Sequence, residues 1–271
     1  MQQASRPIAF VLAATNHGSM IVNRNDHHMV DQARGYGVGF QLLNRSSFDM
    51  EEVDFVKALL LFRRHHFGAG VVAIDCGANI GVHTVEWARL MHDWGRVIAF
   101  EAQEKIFYAL AGNIALNNCL NVQARWAAVG ASCGTINVPE PDYHLPSSYG
   151  SLELRRREQT EFIGQSIDYT AGTDTAVIPI DAFQLPRLDL IKIDVEGMEI
   201  DVLEGAADTI RRCRPQMVIE VIKSDRVAIG AILSGHGYRI YPMGLNLLAI
   251  HESDPTAGHI TLHDGILSLK S

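Results

Sequence analysis

Cysteine is scarce in this sequence and unpatterned. Cys76, Cys119, Cys133 and Cys213 form neither a C-x-x-C pair nor a zinc spacing, so no disulfide framework or structural zinc is expected, and free thiols in a reducing compartment fit best. Positive charge is also in deficit. Lys and Arg number 23 against 31 Asp and Glu, a formal charge of -8. A nucleic-acid backbone is then an unsuitable main partner, because phosphate binding asks for a basic surface. Long apolar runs are missing as well. None approaches the ~20 residues of a membrane span. The run from Ile8 to Ala14, behind a lone Arg6, gives way at once to Thr15-Asn16-His17 and is short for a signal peptide. The expectation is a cytoplasmic protein that engages neither membrane nor nucleic acid. Finally, the dinucleotide fingerprint G-x-G-x-x-G is absent, which argues against a nicotinamide-dependent oxidoreductase.

What is present is an ordinary globular composition, 47% hydrophobic and 20% charged over 271 residues, enough for one large core or a domain with an extension. The chain is organised around Val71–Gly81, VVAIDCGANIG. Val71 to Ile74 suit a strand buried on both faces. Asp75 to Gly81 form a glycine-punctuated turn, and Val82, Val85, Ala88 and Met91 start a helix. A buried strand, a Gly-rich turn and a helix make the ligand-binding corner of an open α/β sheet. Gly77 and Gly81 let a ligand approach the main chain, and free N–H groups at the helix start are expected to face it. Asp75 places a carboxylate where a pyrophosphate would be repelled and a cationic or amino-acid-like ligand accepted. A second buried strand, Val97 to Phe100, ends in Glu101, and an acid there is the usual partner of two ribose hydroxyls. Together Asp75 and Glu101 point to a nucleoside.

Elsewhere, Ile8–Ala14 and Met20–Val22 flank a turn and predict a hairpin. An acid-rich turn at Asp49 opens a helix that His65-His66 close, while Gly35 to Phe40 carries no assignable motif. Residues 1–68 thus read as an N-terminal cap of hairpin and helix, residues 69–254 as the core domain, and 255–271 as a tail. His27-His28 lack companion ligands, and no metal site is expected. Lys105 to Asn118 predicts a helix, and Val122 to Val129 a third strand. Residues 139–175 form a long proline- and serine-marked loop, with Arg155-Arg156-Arg157 inside it, read as a substrate-facing lid. Leu188 to Ile193 is a firm buried strand ending in Asp194-Val195-Glu196-Gly197. Lys192 stands out within it and is placed to snorkel or to pair with an acid. A helix from Met198 to Cys213 follows, then a strand carrying Glu220, a helix from Asp225, and a closing strand pair at 238–241 and 245–251.

On IDCGANIG (74–81), VIAFEAQ (97–103), NIALNNCLNV (113–122), AAVG (127–130), LIKIDVEGMEIDVLEGA (190–206) and PQMVIEV (215–221), the chain resembles the class I S-adenosylmethionine-dependent methyltransferases, and within them the FkbM family. Two departures are Gln103, where the family commonly has Pro, and Met198, where it commonly has Ala. The resemblance implies an α/β, Rossmann-like, seven-stranded mixed sheet with helices on both faces, and S-adenosylmethionine as cofactor. It implies cofactor contacts from Asp75, Gly77, Ala78, Asn79, Gly81, Glu101, Ala102, Gln103 and Asp194, with Ala128 near the adenine. The four carboxylates of this crevice ask for a positive ligand, which a sulfonium with an α-amino group supplies. O-methylation of a small-molecule hydroxyl, on a sugar or other metabolite, is the implied reaction. Asp194 is the first candidate for the base, then Glu196, then His83. A noncatalytic nucleoside-binding relative and an RNA methyltransferase stay as alternatives.

Overall fold

The structure is a computed structural model that describes residues 7–31, 34–263 and 266–270; Arg6 lies outside them. The chain opens with β1 (Phe10–Thr15) and β2 (Gly18–Asn23), an antiparallel hairpin, and a short pair, β3 (His28–Met29) and β4 (Gly35–Tyr36). Then come α1 (Val38–Arg45), α2 (Met50–Phe67), β5 (Val71–Cys76), α3 (Val82–Leu90), β6 (Gly95–Glu101), α4 (Glu104–Leu116), β7 (Val122–Trp126), β8 (Ala128–Val129) and β9 (Gly134–Pro139). The second half holds β10 (Gly172–Ile178), β11 (Leu190–Ile193), α5 (Glu199–Glu204), α6 (Ala207–Cys213), β12 (Gln216–Glu220), α7 (Arg226–Gly235), β13 (Tyr238–Met243), β14 (Asn246–His251), β15 (Ile260–His263) and β16 (Ile266–Leu269).

Seven strands make one mixed sheet in the order β13-β14-β12-β11-β5-β6-β7. Only β14 runs against the others, pairing antiparallel with β12 and β13. This is the Rossmann-like sheet implied by the resemblance. The period-2 alternation of β5 assigns its faces. Val72, Ile74 and Cys76 join the core under α5, α6 and α7. Val71 and Ala73 join the core under α2 and α3, with Leu190, Val218 and Leu248 from the neighbouring strands. Asp75 and Lys192, in register with each other, therefore emerge on the α2–α3 face. The strand order reverses at β5, and the ligand crevice belongs beyond its carboxyl end.

At the opposite end of the strands, Arg63 of α2 is buried and donates to Asp189 at 3.0 Å and to Asp254 at 2.9 Å. Asp189 also accepts from the Val72 N–H and from Arg187, and Asp254 from Gln216. The hairpin is fastened to the core too. Asn113 of α4 bonds both polar groups of the Ile21 backbone, and His17 bonds Glu86 of α3 at 3.1 Å.

Four local features differ from the sequence reading. The expected helix 198–213 is two helices, because Gly205 lies against the Gly130 carbonyl, where a Cβ would come within 2.0 Å. The expected strand 122–129 is also divided. Trp126 is the last residue paired with β6, while Ala128 and Val129 pair with β10 in a separate three-stranded sheet. Helix α1 was not anticipated: its cap is the distant Asp26, which accepts from the Gly39 N–H at 2.8 Å. Beyond Asp254, a 3₁₀ turn and the hairpin β15–β16 stand where a tail was expected.

Candidate functional site

A cavity of about 390 Å³ lies at the carboxyl ends of β5, β6, β11 and β12, within the size range of small-molecule and cofactor sites. Its floor is the turn after β5. Gly77 has φ +78°, and a Cβ there would sit 1.8 Å from the Asp194 carbonyl oxygen, so only glycine lets the β5 turn cross the β11 turn. Asp75 is buried; its Oδ2 accepts from the Thr84 hydroxyl at 2.6 Å, and its Oδ1 has no hydrogen-bond partner among the described residues. The N–H groups of the turn itself, Gly77 to Gly81, are all engaged. The Gly77 and Ala78 N–H groups donate to Phe100, that of Gly81 to Ala78, and those of Asn79 and Ile80 to carboxylate and amide side chains. A short turn with this many glycines and an Asn closes on itself, so it offers shape rather than an anion cradle. Cys76 is a packing residue: burial pushes its thiol far up.

Glu101 ends β6, buried, with Oε2 accepting from the Asn79 N–H at 2.9 Å and Oε1 from the Gln103 N–H at 2.8 Å. Burial pushes its carboxyl up to about 7, against the pull of these N–H donors. Each oxygen keeps lone pairs for further donors. Ala78, Asn79, Ala102, Gln103 and Ala128 line the cavity beside it. Gln103 also reaches outward: its amide donates to the Tyr149 carbonyl at 2.9 Å and accepts from the Tyr143 hydroxyl at 3.2 Å. The residue that departs from the family's Pro thus anchors the long loop, which spans 140–171 rather than the expected 139–175 because Gly172 to Thr175 pair with β9. Ser148, Gly150, Ser151, Leu152, Leu154 and Glu161 of that loop wall the cavity.

The other half of the cavity holds charge. Asp194, Glu196 and Glu220 bring carboxylate oxygens within 4.8 Å of one another, and two lysines answer them. Lys192 lies 2.7 Å from Asp194 and is buried. Burial alone would lower its ammonium, but Asp194, Asp75 and Glu52 reverse this and hold it firmly charged. Lys223 reaches Glu196 at 2.6 Å, Glu161 at 2.8 Å and the Ser151 carbonyl at 2.7 Å. Burial, and next the Asp194 charge, raise Glu196 despite Lys223. Tyr36 donates to Glu161 at 2.8 Å, so the loop, the N-terminal segment and the β12 end meet at one ammonium. His83 is buried against the cavity with Nε2 3.3 Å from Glu52 of α2, and Glu52 also accepts from Asn246 at 2.7 Å.

The sequence profile of the methyltransferase FkbM domain matches residues 75–240, from the first cavity carboxylate to β13. The chain belongs to the FkbM methyltransferase family. Among curated proteins it is similar to Methyltransferase sdnD of Sordaria araneosa, 26% identical over 195 residues, covering 62% of this chain and 73% of that one. It is also similar to Methyltransferase 1 of Beauveria bassiana (strain ARSEF 2860), 26% identical over 179 residues, covering 62% and 72%. Among solved structures, an FkbM methyltransferase from Methylobacillus flagellatus KT is 19% identical with a TM-score of 0.47, the match covering 70% of this chain and about half, 48%, of that one. A putative methyltransferase from Streptococcus mutans in complex with SAH is 12% identical with a TM-score of 0.42, covering 75% and 98%.

This FkbM methyltransferase brings the sequence-predicted site residues to one cavity, all but Gly81, which is the N-cap of α3. Residues at or against the cavity that were not in the sequence-predicted set include Tyr36, Glu52, Glu161, Glu220 and Lys223. Glu220 shares the signal that marked Glu101, an acid ending a buried strand. Glu52 sits on a helix face, Glu161 and Lys223 in loops and Tyr36 at the end of the two-residue β4, and nothing in their local sequence separates them from ordinary surface residues. No helix among the described residues is long and apolar enough to cross a membrane.

Proposed function

We propose that the protein is an S-adenosylmethionine-dependent methyltransferase that transfers a methyl group to a hydroxyl of a small-molecule acceptor. The observation that carries this reading is Glu101, held rigid by two backbone N–H groups beside a glycine turn that no side chain could replace. A ribose diol fits that carboxylate as a double donor. The donor set fits the rest of the molecule too. The unpartnered Oδ1 of Asp75 suits an α-ammonium, and Ala127, Ala128 and Val129 offer an apolar wall for a purine. The self-satisfied turn suits a ligand without phosphate.

When bound, S-adenosylmethionine supplies a methyl group already activated on sulfur, so the chain's task is alignment, water exclusion and removal of one proton. Alignment falls to Glu101 and the glycine turn. Exclusion of water falls to the 140–171 loop, tied down by Gln103 and Lys223. Lys192 holds Asp194 at the mouth of the crossing. The net charge of -8 supports a small acceptor over RNA.

Isothermal titration with S-adenosylmethionine, S-adenosylhomocysteine and NAD tests the reading. The adenosyl ligands are expected to bind in the micromolar range, NAD not at all, and Glu101→Ala is expected to weaken the adenosyl ligands by about 10²-fold or more, as for a lost pair of charge-assisted hydrogen bonds. Absence of adenosyl binding to the unaltered protein would remove the reading.

A further inference from the structure

Six carboxylates line the cavity: Asp75, Glu101, Glu161, Asp194, Glu196 and Glu220. Five are engaged. Asp75 accepts from Thr84, Glu101 from two backbone N–H groups, Asp194 faces Lys192, and Lys223 takes both Glu161 and Glu196. Glu220 stands apart, the one cavity carboxylate that accepts no hydrogen bond and joins no ion pair among the described residues. A free carboxylate beside the buried Lys192 and the half-buried Lys223 is costly to stability and useful to chemistry, since its lone pairs are open to a ligand proton.

Its place in the sheet fits an acceptor. Glu220 is the last residue of β12 and shares a face with Val218, the face covered by α2 and α3. The order β12-β11-β5-β6 sets it three strands from Glu101, ~14 Å across at the usual strand spacing. A nucleoside resting on Glu101 thus has its ribose at one end of the cavity, and its reactive end extends toward β11 and β12. Ile222 and Leu245, both well exposed, flank the opening at that end and offer apolar contact to the body of an acceptor.

We propose that Glu220 is the group that receives the acceptor proton during methyl transfer. This rests on the methyltransferase reading above. In the step, a lone pair of the acceptor oxygen forms the new O–C bond, the C–S bond breaks with its pair retained by sulfur as a thioether, and the hydroxyl proton passes to the Glu220 carboxylate. The groups around Glu220 favour that exchange near neutral pH. Burial and the charge of Asp194 raise its carboxyl, Lys192 opposes them, Glu199 raises it again and Lys223 opposes, leaving it at about 8. Glu196 lies beside it, Asn246 stands opposite it in register on β14, and Asn246 in turn holds Glu52, which faces His83. A base with this midpoint takes a proton readily and returns it to water.

Sinefungin tests the placement without a known acceptor. It is an adenosyl amino acid in which an amine-bearing carbon replaces the methylated sulfonium, so its ammonium stands where the transferred methyl and acceptor oxygen meet. Titrations of the full chain at pH 6.5 and 8.5 should show sinefungin binding tighter than S-adenosylhomocysteine by about tenfold or more at the higher pH, the worth of one charge-assisted hydrogen bond. The advantage should shrink at pH 6.5, where Glu220 is protonated. Glu220→Gln should abolish the advantage while leaving S-adenosylhomocysteine affinity unchanged, which also reports that the variant is folded. The pH dependence of the unaltered protein gives the same answer without a variant. An advantage that is absent or flat with pH, or that survives Glu220→Gln, would overturn the assignment. Failure of both ligands to bind would instead remove the methyltransferase reading beneath it.

Discussion

At the scale of single residues, Glu101 and Gln103 show how much one position can hold. The sequence marks Glu101 because an acid closing a buried strand has few structural reasons to be there. It gives no sign that Gln103 would tether a loop 40 residues away through Tyr143 and Tyr149, because that partnership exists only once the chain has folded. Glu101 also carries a measurable consequence. Burial raises its carboxyl to about 7, and ribose hydroxyls donate to the ionised form far better than to the acid. Binding therefore favours the deprotonated state, and S-adenosylhomocysteine affinity should climb as pH rises from 6 to 8. Titration calorimetry across that interval checks it; a flat profile would show that Glu101 does not meet the ligand.

At the scale of elements, legibility follows locality. β5, α3, β6, β11 and β12 were read correctly because their patterns of buried residues and turns lie within a dozen residues. α1 was missed because its cap, Asp26, arrives from another element, and the break between α5 and α6 was missed because Gly205 answers to Gly130 rather than to its own neighbours. The Arg63 cluster was equally hidden, since its partners Asp189 and Asp254 lie 126 and 191 residues away. That cluster ties α2 to the amino ends of the strands. Arg63→Met keeps the stem and its packing but removes the cation between two buried carboxylates, leaving Asp189 to Arg187 and the Val72 N–H and Asp254 to Gln216, and should cost about 1.5–3 kcal/mol of unfolding free energy, as for lost hydrogen bonds to a charged group. Urea denaturation measures it. A loss of about 1 kcal/mol or less, typical of exposed pairs, would show that water already satisfies those acids.

At the scale of the whole molecule, the cavity is built at the expense of stability. Glu101 at about 7 and Glu220 at about 8 both take up a proton more readily folded than unfolded. A carboxyl raised by folding contributes stability that is complete at low pH and lost as pH rises through the raised value. The unliganded protein should therefore gain stability as pH falls from 8.5 to 7, seen as a rising urea midpoint at constant slope. Glu86, held down to about 2 by His17 and Lys57 despite its burial, acts only in far more acidic solution and does not offset this. Saturating S-adenosylhomocysteine should flatten the Glu101 part of the trend, since binding holds that group ionised. A midpoint that falls toward pH 7 would contradict both assignments.

The place of β14 adds one more consequence. It is the last strand of the large sheet in chain order, yet it lies between β12 and β13, which are made before it. On the ribosome, the glycine turn, Glu101 and Asp194 all emerge well ahead of it. Only with β14 does Asn246 arrive to hold Glu52 and to stand opposite Glu220. A nascent chain stopped short of that point would carry the glycine turn, Glu101 and Asp194 without the Asn246 contact to Glu52. Translation itself thus separates the two halves of the site in time.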